Sequence, residues 1–116
     1  MATFAGWQRP VRAHKRYIVS GRADIVWDGK KVIGKLVSIG AGGLLVYCDL
    51  GPPLGAKIDI TFFMGGFDEG RPMYADGRVV WTQPGKVGVE FTEQPAGLLV
   101  LLLWLEREHC RWSAAD

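Results

Sequence analysis

The clearest pattern in this chain is an alternation of apolar and polar positions that recurs in short segments. Residues 57–64 alternate, with isoleucine, phenylalanine and methionine on one face and lysine, aspartate and threonine on the other. Residues 17–27 alternate in a similar way. Successive side chains of a β-strand point to opposite faces, so this period of two predicts half-buried strands. Four more short apolar segments are interpreted as strands, at residues 32–37, 44–48, 73–81 and 87–91.

Glycine and proline separate these segments. Asp28-Gly29 is a tight-turn sequence between two strands, and Pro84-Gly85 is the central pair of a type II turn. Six short strands with such turns between them predict an all-β fold, either a barrel or a sandwich.

The C-terminal region changes to a helical period. Leucines recur at helical spacing from Leu98 to Leu105, and Pro95 suits the first turn of the predicted helix. Further apolar residues between these leucines widen the apolar face beyond what one contact surface needs. The helix therefore either only covers the barrel or also uses a second apolar face, for homo-oligomer formation or for a partner.

The size and charge of the chain narrow the class of protein. With 116 residues it is long enough for one domain with its own core. Its net charge is only +2, but residues 1–35 contain 8 Lys and Arg against 2 Asp, so an anionic partner would meet this part first. The longest apolar run has 8 residues where a membrane span needs about 20, and no secretory signal is visible. Two cysteines without metal or redox spacing agree with a reduced, cytoplasmic protein.

Two arginines four residues apart, Arg12 and Arg16, are the first candidate for chemistry. The arginine fork grips a phosphate or a guanine edge in bidentate fashion, and its flat face stacks on a base. A clamp for a phosphate or nucleotide and a solvated basic flank are both open interpretations of this pair. Residues 1–16 lack periodicity and are interpreted as a flexible basic arm, in which Arg9 and Trp7 are further possible contacts, Trp7 through base stacking.

The remaining polar residues do not indicate an enzyme. His14 and His109 share no ligand spacing with Cys, Asp or Glu, so no metal site is predicted. His109 and Cys110 are adjacent on the predicted helix, which points their side chains about 100° apart and disfavours a nucleophilic pair. We expect a binding protein without catalytic residues.

The order of these elements resembles the PilZ domain family from about residue 9 to residue 105. The likeness rests on the arginine pair directly before a strand, a hairpin, a Gly-Gly turn followed by an apolar strand, and two further strand sequences: Arg12-x-x-x-Arg16, Tyr17-Ile18-Val19, Gly42-Gly43, Gly77-Arg78-Val79-Val80-Trp81 and Val87-Gly88-Val89-Glu90-Phe91. The resemblance implies a six-stranded antiparallel β-barrel with a C-terminal α-helix, occupying residues 17–112 after the arm. For many members it also implies binding of the bacterial second messenger cyclic di-GMP, with no further cofactor.

In that family the ligand is held by an Arg-x-x-x-Arg pattern and by a motif of Asp or Asn, any residue, Ser, any two residues, then Gly. The first pattern matches Arg12 and Arg16. In the second, anchored on Gly43, Ser38 stands at the Asp or Asn position and Gly40 at the Ser position. A serine hydroxyl offers one contact where a carboxylate accepts two hydrogen bonds, and glycine offers none. A lost charge-assisted contact is worth roughly 1.5–3 kcal/mol, or one to two decades in affinity.

Three hypotheses follow from the sequence. The leading one is a cyclic di-GMP receptor in which Arg12 and Arg16 grip the dinucleotide over the turn from Ser38 to Gly43, with Gly40 and Gly42 giving backbone donors. The second is a PilZ-like adaptor that binds no nucleotide and acts on a motility, pilus or secretion protein. The third, a small barrel for single-stranded nucleic acid, is disfavoured by the near-neutral net charge.

Overall fold

The computed structural model describes residues 15–108 and the backbone of residues 112 and 113. Strands alternate with tight turns through most of this range, as the period of two predicted. The elements in chain order are β1 (Arg16–Trp27), β2 (Lys30–Gly40), β3 (Gly43–Tyr47), β4 (Lys57–Met64), a short 3-10 helix (Asp68–Gly70), β5 (Met73–Gln83), β6 (Lys86–Phe91), α1 (Leu98–Glu108) and β7 (Trp112–Ser113).

The first six strands form a closed barrel. The strand order is β2-β3-β6-β5-β4-β1, and β1 also pairs with β2, so the ring is complete. Every pair is antiparallel. The two-residue strand β7 adds to the start of β1, where Tyr17 pairs with Trp112. The predicted six-stranded antiparallel barrel with a C-terminal helix is confirmed.

Tight turns close the hairpins as the sequence predicted. Asp28 and Gly29 both have positive φ, at 50° and 74°, which is the backbone of a type I′ hairpin turn. Gly85 has φ of 79° between β5 and β6, as a type II turn requires after proline. These turns fix the pairing register of β1 with β2 and of β5 with β6.

The core lies inside the barrel and continues under α1. One face of the helix inserts Leu98, Leu101 and Leu105, each at most 1% exposed, into the same apolar cluster as the inward side chains of the strands. The ring of Trp104 packs on Phe67 with 5.2 Å between centroids. Alternate strand residues supply the rest of the core, including Ala23, Ile25, Leu36, Ile39, Leu44, Val46, Ile58, Ile60, Phe62 and Val79.

The helix closes the end of the barrel at which β1 begins and β4 ends, which we call the upper end. It begins at Leu98, three residues after the proline predicted to lie in its first turn. Pro95 instead precedes the helix, and its carbonyl accepts a hydrogen bond of 3.2 Å from the Leu98 amide. Gly97, with φ of 82°, takes the backbone conformation that turns the chain into α1.

Candidate functional site

The predicted site residues that the structure describes lie together at the upper end of β1, β2 and β3. Arg16, the first residue of β1, is half-buried and pairs directly with Gly40, the last residue of β2. Ile18 pairs with Ser38 two residues further along the strands. After β2 a two-residue connection, Ala41-Gly42, leads to Gly43, the first residue of β3. Arg12, Arg9 and Trp7 lie outside the described residues.

The backbone of β1 runs hard against Gly40. A Cβ on Gly40 would overlap the carbonyl oxygen of Lys15 and lie 3.6 Å from the Cα of Arg16. The position at which the family motif has a serine is therefore filled by the start of β1. The departure from the motif at Gly40 has a steric reason in this chain.

Gly43 keeps the final glycine of the motif because β6 passes close to it. A Cβ on Gly43 would overlap the carbonyl oxygen of Val89, and Gly43 pairs with Glu90. Only glycine allows this approach of two strands. The neighbouring Gly42 carbonyl accepts a hydrogen bond of 2.9 Å from the Phe91 amide, which ties the same turn to β6.

Ser38 is a buried polar residue without a partner. Its exposure is 6%, and its Oγ makes no hydrogen bond within the described part of the chain. A buried hydroxyl without a partner costs on the order of 1–3 kcal/mol, so such groups are uncommon in folded proteins. This one stands at the position where the family motif has a ligand-holding Asp or Asn.

A contact that the sequence did not indicate ties this region to the helix. The hydroxyl of Tyr17 donates a short hydrogen bond to Oε1 of Glu106, and Nζ of Lys15 lies 3.6 Å from the same oxygen. The hydrogen bond from Tyr17, with the charge and hydrogen bond of Lys15, lowers the pKa of Glu106 despite some desolvation. The residues are 89 positions apart, so no local pattern could have shown it.

A second unexpected feature is a carboxylate on the outer face of β1. Asp24 is 7% exposed and accepts two hydrogen bonds from Arg22, of 2.8 and 3.1 Å, with Nζ of Lys31 at 3.8 Å. The alternation placed Asp24 correctly on the polar face, but its cationic neighbours cover it. The guanidinium of Arg22 also lies over the ring of Phe63, 5.4 Å from its centroid.

The outer face of β4 and β5 carries an open pocket of about 380 Å³ beneath the segment that leads into α1. We call it the acidic pocket, because it is lined by Asp59, Asp76 and Glu93 together with Tyr74, Pro95 and Ala96. Asp59 and Asp76 pair directly across the strands, and the hydrogen bond between them, with desolvation and charge repulsion, raises the pKa of Asp59. Within residues 15–108, no group of three or more His, Cys, Asp and Glu is arranged to hold a metal ion.

The site thus offers a guanidinium, backbone groups of a glycine turn and one buried hydroxyl. Groups of this kind suit an anionic ligand with hydrogen-bonding edges. No helix in the described ranges is long and apolar enough to cross a membrane.

Comparison with known proteins agrees with this geometry. The family model of the PilZ domain matches residues 10–105. The structure resembles the PilZ domain of YcgR from Escherichia coli with cyclic di-GMP, at TM-score 0.69 and 16% identity, covering 87% of this chain and 94% of that one. No curated protein shows a significant sequence match.

Two longer proteins are similar over part of their length. The Bacillus subtilis inhibitor of motility (MotI/DgrA) matches at TM-score 0.69 and 20% identity, covering 89% of this chain and 52% of that one. Borreliella burgdorferi PlzA in complex with cyclic di-GMP matches at TM-score 0.60 and 19% identity, covering 86% of this chain and 42% of that one. This chain therefore spans about half the length of each.

A closed six-stranded barrel capped by a helix, with an arginine opposite a glycine turn, defines the class of protein. The chain belongs to the PilZ domain family. The family model and the similar structures that contain cyclic di-GMP support membership of a family of cyclic di-GMP receptors and adaptors.

Proposed function

We propose that this chain is a non-enzymatic receptor of cyclic di-GMP that acts in the bacterial cytoplasm. The observation that carries the proposal is the pairing of Arg16 with Gly40, which sets one arginine of the first motif against the second motif. Family membership supports it, as do two similar structures that contain cyclic di-GMP.

Each predicted residue has a distinct proposed role. Arg12 and Arg16 contact the phosphates and the guanine edges, or stack on the bases. The unpartnered hydroxyl of Ser38 gives one hydrogen bond to the ligand. The glycines from Gly40 to Gly43 have no side chains to offer, so their contribution is restricted to backbone groups and to a close approach. Arg9 and Trp7 are proposed as additional contacts from the arm.

We propose that ligand binding orders the arm against the barrel. Arg16 is part of β1, where it pairs with Gly40 on one side and Ser113 on the other. We propose that the ligand moves only the residues before it. Since Ser38 replaces a carboxylate, affinity is expected to be about 10–100-fold below that of a receptor with the full motif.

Isothermal titration calorimetry with cyclic di-GMP tests this directly. We expect saturable binding that an Arg12→Ala, Arg16→Ala double variant lowers by at least about 100-fold, because two charge-assisted contacts are lost. Arg78→Ala is the matched control, since Arg78 is an exposed arginine on β5 and is separated from Gly43 by strand β6. No binding by the unchanged protein, or equal losses in the control and the double variant, would overturn the proposal.

A second function is favoured by one specific observation. The place of the motif serine is filled by the backbone of Lys15, so part of the side-chain contact to nucleotide is absent. We propose as the alternative an adaptor that acts on a motility, pilus or secretion protein without nucleotide. The similarity to an inhibitor of motility supports this class of output. Partner affinity that is unchanged by cyclic di-GMP and by loss of Arg12 and Arg16 would favour the adaptor over the receptor.

A further inference from the structure

Three large apolar side chains stand on the outer face of α1. Leu99, Val100 and Leu103 are 63%, 62% and 63% exposed. At 100° per residue they lie on the side of the helix opposite the leucines that enter the core. We call these three residues the outer stripe. A contiguous apolar surface of this kind marks an interaction site more often than a solvated face.

The two ends of α1 differ in charge. The C-terminal end carries Arg107 and adjoins Lys15 and Arg16 at the start of β1. Glu106 and Glu108 offset part of this charge, and Glu106 is already bonded to Tyr17 and Lys15. The N-terminal end adjoins the acidic pocket, whose three carboxyl groups have no cation among the residues that line it; Lys57 and Arg78 lie next to Asp59 and Asp76 on the same strands and offset part of this charge. The helix therefore runs from an acidic end to a weakly basic one.

We propose that the outer stripe is the contact of a homodimer, in which two α1 helices pack antiparallel about a two-fold axis. A two-fold contact uses the same patch on both protomers, and the stripe meets this condition because it is apolar throughout. An antiparallel arrangement lays the basic end of each helix over the acidic pocket of the other protomer. A parallel arrangement would bring like charges together at both ends.

The spacing along the helix supports this arrangement. An axis midway between Val100 and Leu103 leaves Arg107 about 8 Å away, at 1.5 Å per residue. The same distance toward the N-terminus falls at Ala96, which lines the acidic pocket. The arginine of one protomer is thus brought to the carboxylates of its partner. The charge match occurs twice in the dimer, and for this reason we choose a second copy over an unrelated protein or a membrane.

Sedimentation equilibrium of the full chain without nucleotide, from low to high micromolar concentration, tests the proposal. We expect a monomer–dimer equilibrium that Leu103→Glu weakens by at least tenfold, because a charge would enter the apolar contact. Leu54→Glu is the matched control, since Leu54 is 66% exposed in the connection between β3 and β4. A monomer at every concentration, or equal weakening by both variants, would overturn it.

A charge exchange tests the antiparallel direction. Arg107→Glu alone should weaken the dimer, and Arg107→Glu combined with Glu93→Arg should restore it, because each changed residue then faces an opposite charge in the partner. Failure to restore would reject the antiparallel packing even if a dimer forms. Cosedimentation with anionic phospholipid vesicles that Leu103→Glu abolishes, without any dimer, would assign the stripe to a lipid surface and overturn the proposal. None of these outcomes depends on cyclic di-GMP, so they stand apart from the test of the receptor.

Discussion

Replacing Gly40 by alanine tests whether the backbone at the start of β1 packs directly against Gly40. The new Cβ would lie well under 3.0 Å from the carbonyl oxygen of Lys15, where real Cβ contacts are not found. The obstacle is backbone, so β1 and β2 must separate by on the order of 1 Å. A serine at this position, which restores the family motif, meets the same obstacle.

The magnitude follows from two contributions. Forcing atoms into a well-packed site costs about 1–3 kcal/mol, and separating β1 from β2 stretches a ladder hydrogen bond worth about 0.5–1.5 kcal/mol. Alanine restricts the unfolded chain and returns about 0.4–1 kcal/mol. The net loss is therefore about 1–4 kcal/mol. For a domain of this size each kcal/mol moves Tm by about 4 °C, which predicts a decrease of about 4–15 °C.

Thermal unfolding followed by circular dichroism measures this loss. The control is Gly65→Ala, because a Cβ on Gly65 meets no atom within 4 Å and its φ is not positive. We expect the control to keep or slightly raise Tm. Hydrogen exchange should also show faster exchange of the Arg16 amide in Gly40→Ala alone. Equal Tm values for the two variants would refute the close packing of β1 on Gly40 and leave room there for a ligand.

Three further predictions concern single side chains. Glu106 has a lowered pKa when folded, so its contribution to stability is present at neutral pH and lost as pH falls below about 4.5 through the folded pKa. Urea titrations should show Glu106→Gln less stable than the unchanged protein at pH 7 and equal to it near pH 2. A difference in stability that stays constant with pH would contradict this. Ser38→Ala removes a buried hydroxyl that has no partner within the described residues, so it should leave stability unchanged or raise it by up to about 1 kcal/mol. It should also lower cyclic di-GMP affinity about tenfold. A loss of stability would mean that the hydroxyl is hydrogen-bonded within the protein. Burial raises the pKa of the Cys48 thiol, so in a Cys110→Ser variant its reaction with a disulfide reagent at pH 8 should be slow until urea unfolds the barrel. Fast reaction of that variant in the native state would place the Cys48 thiol at the surface.

The fold was predictable because its strands carry local signals. The alternation of residues 57–64 gave the bounds of β4 as observed, Lys57–Met64. The Asp-Gly and Pro-Gly sequences predicted two hairpin turns. Strand ends were less well predicted, since β2 runs from Lys30 to Gly40, and of the residues outside the predicted range 32–37 only Ile39 carries a large apolar side chain.

The site was less predictable because its decisive contacts are distant in sequence. Gly43 was interpreted as part of a ligand turn, and the structure shows that Val89, 46 positions later, already requires a glycine there. Nothing near Tyr17 indicates a bond to Glu106. The buried state of Ser38 likewise depends on how the strands close around it. Only the family resemblance pointed to Arg16 and Gly40 as neighbours, a placement that the register of β1 and β2 now displays.

Closure of the barrel limits the conformational changes that ligand binding could cause in this domain. Each of the six strands has two neighbours, so sliding one strand would require every other strand to shift with it. Nor does any of the six offer a long unpaired edge to which a partner could add a strand. The strands of the barrel are thus fixed relative to one another, and a ligand-dependent change is expected at the ends of the barrel. At the upper end the chain holds together the arginine, the glycine turn and, through Glu106, the end of α1. We therefore expect a ligand at this end to alter the position of α1 and not the pairing of the strands.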